Sequence, residues 1–186
     1  MEKYKSWSDL QKLLNERLCL ELRGRVTYFL TRYHDVHNAY GRAAIRVDGE
    51  ELVCFSWIEQ YYQEETISET MRQLPESEYG QIRHELKPEW DRNCTYCDMD
   101  FLDAVLQFRS LTIQEALRSE NRMIRILAIL DRRVGSRTLR RIGSENAFEN
   151  EPQWVRQFYE LRMNHLSTRW IGDAETEEYL TGPAER

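Results

Sequence analysis

Asp48-Gly49 is the feature that most constrains this chain, because a tight two-residue hairpin needs positive φ at its central positions and this dipeptide supplies them. The runs that flank it, Arg42 to Val47 with Ile45 and Val47 and Glu51 to Ser56 with Val53 and Phe55, read as paired strands. Upstream, Arg25 to His34 is rich in β-branched and aromatic residues and reads as another strand, so the three runs predict a three-stranded antiparallel meander. A helix is predicted before it, from Ser8 as cap to Leu22, with Leu10, Leu13, Leu14 and Leu18 on one face and Gly24 as its stop.

After Trp57 the apolar period changes from two to about 3.6 residues and stays there. Helical segments are predicted around Ile58 to Met71 and Tyr79 to Leu86, then over Asp98 to Arg109, Ile113 to Leu117, Asn121 to Arg133 and Ser136 to Ile142, with a last one opened by Pro152. Asn121 to Arg133 is apolar around more than half its circumference and is the expected core helix. The fold class is therefore α+β: an N-terminal helix, a three-stranded meander, and a mostly helical C-terminal two-thirds packed on it. One domain over residues 1–171 is expected, with the first helix and the meander in residues 1–56 and the helical region in residues 57–171, followed by a frayed acidic tail at 172–186.

Composition narrows the class further. Apolar residues are 41% and charged residues 31%, with 8 Gly and 4 Pro, which excludes collagen-like, disordered and disulfide-dense chains. Met123 to Leu130 is the longest strongly apolar run, interrupted by Arg125 and far short of the roughly 20 residues of a membrane span. Residues 1–5 carry no apolar signal core, and four cysteines fit reduced thiols, so a cytoplasmic protein with no membrane partner is expected.

Charge is unevenly distributed. Eight arginines between Leu117 and Ile142 stand against Glu120 and Asp131, a local +6 within a net −6. Of 26 basic residues 22 are arginine, whose planar fork suits bidentate contact with carboxylate or phosphate. Asp131-Arg132-Arg133-Val134-Gly135-Ser136-Arg137 joins two predicted helices, and Arg132, Arg133 and Arg137 beside a new helix N-terminus could seat an anion. The competing reading pairs Asp131 with an arginine and makes the segment a structural corner.

Other constellations are weaker. Thr31 to Arg42 gathers Arg32, Tyr33, His34, His37 and Arg42 in one loop, the place to look for a ligand if the chain binds one, although an ordinary surface turn is the simpler account. Cys94-x-x-Cys97 is half a zinc or redox motif without a second ligand pair. Asp98, Asp100 and Asp103 are accounted for by a helix start. No phosphate-binding glycine loop, nucleophile elbow or His-Glu-x-x-His is present, so no cofactor, metal or catalytic residue is assigned.

Leu22 to Val26, Thr31 to Tyr33 with His37, Gly41-Arg42, Val47 to Glu51, Ala128 to Arg137 and Phe158 to Arg162 together resemble a family of uncharacterised bacterial cytosolic proteins of about this length. Asp-Arg-Arg-Val-Gly-x-Arg is the most specific part of that likeness. It implies a bacterial origin and an architecture, and no activity. The leading expectation is a non-enzymatic interaction or regulatory protein that binds another protein through Arg32, Tyr33, His37, Arg42, Asp131, Arg132, Arg133 and Arg137. The alternatives are a nucleic-acid-associated protein using Arg118 to Arg141, and a small hydrolase or nuclease using His34 and His37.

Overall fold

The computed structural model describes residues 6–32, 41–56, 94, 96–145 and 148–164. Helix α1 spans Trp7–Arg17, with Ser6 as N-cap: its side chain accepts the Asp9 N–H. It ends five residues earlier than the apolar pattern suggests. Leu18 leaves the helix to form a β-bridge with Asp131, and a short 3-10 turn follows at Leu20–Leu22. Gly24 then takes a positive φ of 81° and turns the chain into the sheet.

The meander is present as the sequence predicts. Strands β1 (Val26–Arg32), β2 (Gly41–Val47) and β3 (Glu50–Ser56) form one antiparallel sheet in the order β1-β2-β3. Asp48 and Gly49 have φ of 53° and 90°, the mirror-image geometry that matches the twist of the strands they join. A register shift between Ile45 and Arg46 is the one irregularity of the β2–β3 pairing.

Alternation divides the sheet into two faces. Val26, Tyr28, Ala43, Ile45, Val53 and Phe55 are buried and share one face by register. Phe55 stacks on Phe101 at 5.0 Å between ring centroids and meets Trp154 edge-on at 6.4 Å, which ties the meander to the helices. On the opposite face Arg42 and Arg46 both bind Glu51, Arg42 Nη1 at 2.8 Å and Arg46 Nη2 at 2.9 Å, and Arg46 lies over the Phe29 ring at 4.5 Å.

Arg42 first, and Arg46 with it, hold the Glu51 carboxyl below its ordinary value of 4.5. A carboxylate depressed in this way stabilises the fold above its unfolded pKa, and that contribution is lost as pH falls through the folded one. Melting temperatures measured from pH 7 to pH 3 should therefore fall less steeply below about pH 4.5 in a Glu51→Gln variant than in the wild type. Parallel curves would show that the cluster does not report on folding.

The helical region contains α2 (Asp98–Ser110), α3 (Ile113–Leu117), α4 (Arg122–Leu130), α5 (Ser136–Ser144) and α6 over residues 153–164. Helix α4 is central, as its pattern predicts: Met123, Ile124 and Ile126 to Leu130 are all buried, and it packs on α2 and α3. Asn121 caps it, its side-chain oxygen accepting the Met123 N–H at 2.9 Å. The predicted helical segments between residues 58 and 86 and the tail at 172–186 lie outside the described residues. Among the described residues no helix is long and apolar enough to cross a membrane.

Candidate interaction surface at the basic corner

The corner between α4 and α5 is built by the bridge that ends α1. Cys19 N–H donates to Leu130 C=O at 3.0 Å and Arg132 N–H to Arg17 C=O at 2.7 Å, so residues 17–19 and 130–132 pair as a fragment of antiparallel sheet. This stops α4 at Leu130, three residues before the sequence pattern does. Asp131 is thereby buried, at 1% exposure.

A buried carboxylate requires partners, and Arg133 supplies them. Its backbone N–H donates to Asp131 Oδ1 at 2.8 Å, and its guanidinium reaches Oδ2 from Nη2 at 2.7 Å. Arg133 also lies over the Phe108 ring, 5.8 Å from the centroid. Arg17 approaches the same ring at 5.3 Å and donates to the carbonyls of Phe108 and Arg109 at 3.2 and 3.1 Å, satisfying the C-terminal end of α2. Burial, and then the neighbouring Arg133, lower the Arg17 pKa, while Asp131 opposes them.

Arg162 completes the frame from α6. At 5% exposure it donates from Nε to Ile129 C=O at 3.3 Å and from Nη2 to Val134 C=O at 3.4 Å, and its Nη1 faces Glu21 at 3.6 Å. Farther along α4, Arg122 Nε binds Glu151 at 2.8 Å, and Arg125 binds the same carboxylate. Much of the arginine-rich segment is thus engaged inside the molecule.

Three of its arginines differ from these. Arg132, Arg137 and Arg141 are exposed, and among the described residues their side chains have no hydrogen-bond or ion-pair partner. Residues 132–144 hold five arginines and no acid. Arg137 and Arg141 are one turn apart on α5, whose buried residue is Leu139. The N-cap of α5 is Gly135, and no side chain caps that helix start.

The other nominated residues fall elsewhere. Arg42 belongs to the sheet-face cluster with Glu51. Arg32 ends β1, paired with Gly41 in register, and nothing is described of its side chain. Tyr33, His34 and His37 lie outside the described residues. Cys97 is the N-cap of α2, its N–H donating to Asp100 Oδ2 at 2.8 Å, and burial pushes its thiol up to about 11, which disfavours the thiolate that metal or redox chemistry needs. Asp98, Asp100 and Asp103 diverge: Asp98 is buried against Gly41, Asp100 caps α2, and Asp103 is exposed. Among the described residues no three His, Cys, Asp or Glu side chains are grouped to hold a metal.

Two frame residues escaped the sequence reading. Arg162 falls on the buried stripe of α6 with Val155, Phe158 and Tyr159, a spacing that marks an inward position despite the charge. Arg17 in the last turn of α1 carries no comparable signal. A groove of about 650 Å³ between α1 and the start of β1, lined in part by Gln11, Lys12, Asn15, Glu16 and Arg23, contains none of the nominated residues.

Sheet, helices and corner define an α+β protein in which a three-stranded meander is backed by helices and a basic turn joins α4 to α5. The chain belongs to the SF0329 protein family, whose model matches residues 6–163. No curated protein and no solved structure matches it.

Proposed function

We propose that this is a non-enzymatic bacterial cytoplasmic protein of interaction or regulation, which binds a partner protein through the basic corner, with Arg32, Tyr33, His37 and Arg42 as a second contact. The observation that carries this reading is the exposed set Arg132, Arg137 and Arg141, without ion partners among the described residues, on a corner where Arg133 is engaged by the buried Asp131. Arginine is a residue type over-represented where binding energy concentrates, because its fork meets carboxylates bidentately. A partner recovered from a bacterial lysate with the wild-type chain should be lost with Arg132→Ala/Arg137→Ala, while the melting temperature stays within about 2 °C of wild type. Undiminished recovery by the folded double variant would overturn the reading.

The acid-free run 132–144 also favours a second reading, binding to nucleic acid. Retention on DNA or heparin that falls steeply with salt would support it, since each neutralised phosphate releases counterions. Its weakness is the acidic balance of the rest of the chain, −12 outside the segment from Leu117 to Ile142.

A further inference from the structure

We infer that the segment docking at the basic corner is an acidic stretch of protein carrying an apolar side chain that seats on Leu20, an inference that rests on the partner-binding reading above and names the partner's chemistry. Among the described residues the exposed large hydrophobic side chains are Leu20, at 67%, and Met99, at 42%. Leu18 and Leu22, on either side of Leu20, are buried, so the 3-10 turn presents this one leucine outward.

Its position ties it to the corner. Leu18 bridges Asp131, which places Leu20 two residues beyond the bridge in one strand and Arg132 one residue beyond it in the other, running the opposite way. Leu20 and Arg132 therefore flank the same backbone junction, Leu20 opening the 3-10 turn that leaves it and Arg132 the turn that leads to α5. Arg137 and Arg141 follow on α5, with a rise of about 6 Å between them. Carboxylates two residues apart in an extended peptide, or four apart in a helix, match that spacing.

The same surroundings discriminate between classes of partner. Leu20 lies in the chain between Glu16 and Glu21, both exposed. A polyanion of uniform charge, with one negative charge per about 1.7 Å of duplex, would bring phosphate to those carboxylates and nothing apolar to Leu20. A peptide can place carboxylates over Arg137 and Arg141 and an uncharged side chain over Leu20.

The test uses the full chain and three fluorescent probes in anisotropy titrations at low salt: a twelve-residue Glu/Ser peptide with one leucine near its end, the same peptide with serine in that place, and a twelve-residue oligothymidylate. The leucine peptide should bind about five- to tenfold tighter than the serine peptide, part of what full burial of a leucine gives. Leu20→Ser should erase that difference without changing the melting temperature, and Arg132→Ala/Arg137→Ala should weaken both peptides. Equal binding of the two peptides, indifferent to Leu20→Ser but dependent on the arginines, would overturn the apolar seat and leave the partner-binding reading standing. Arginine-dependent binding of the oligonucleotide alone would overturn both in favour of nucleic acid, and failure of all three probes to bind would overturn the acidic-segment proposal.

Discussion

Arg162→Ala is expected to destabilise the protein by about 3 kcal/mol and to lower its melting temperature by roughly 10 °C. The guanidinium is 5% exposed and serves the carbonyls of Ile129 and Val134, the two sides of the turn that leads from α4 into α5. Alanine leaves both acceptors without that donor and opens a cavity where the arginine stem packed. Glu21, facing Arg162 at 3.6 Å, is partly exposed and can hydrate, so it adds little to the loss. Arg162→Lys should recover only a fraction of the stability, because an ammonium point charge cannot reproduce the span of the fork. Chemical denaturation at pH 7 measures the effect, and a change below about 1 kcal/mol would mean that the corner does not depend on α6.

Gly41→Ala is expected to be about as costly, 2–4 kcal/mol, for a different reason. A Cβ at this first residue of β2 would overlap the carboxyl group of Asp98, which is buried at 2% exposure at the start of α2. Asp98 cannot swing into open solvent from there, so the strand or the helix start has to move. A double-mutant cycle isolates the cause: Asp98→Ala removes the obstructing atoms, so Gly41→Ala should cost much less in that background, with a coupling of at least about 1 kcal/mol. Additive effects would place the strain elsewhere.

The meander was legible because Asp48-Gly49 admits few conformations other than a mirror-image turn, and once that turn is placed, alternation assigns Ile45, Val53 and Phe55 to the buried face. Helix α4 was legible in type and centrality from its circumference of apolar residues, but its end was not. Leu18 continues the apolar spacing of α1 and Asp131 follows the pattern of α4, yet the two leave their helices to pair with each other, a contact across more than a hundred residues that no local pattern encodes. The same bridge explains why the basic segment looked uniform in sequence and is divided in space. Burial of Asp131 draws Arg133 onto it, and Glu151 draws Arg122 and Arg125, leaving Arg132, Arg137 and Arg141 outside. Leu20 carries no signal at all, since one leucine in an apolar run announces neither face.

The division of the arginines into an internal frame and an outward set is tested most directly by thermal unfolding of two variants side by side: Arg132→Ala/Arg137→Ala/Arg141→Ala, and Arg133→Ala. The triple variant should melt within about 2 °C of wild type, since it removes exposed cations that repel one another. Arg133→Ala should melt several degrees lower, because it leaves a carboxylate with 0% side-chain exposure without its guanidinium. A triple variant that loses as much stability as Arg133→Ala, or an Arg133→Ala protein that melts with the wild type, would contradict the division and with it the basis for an outward recognition surface.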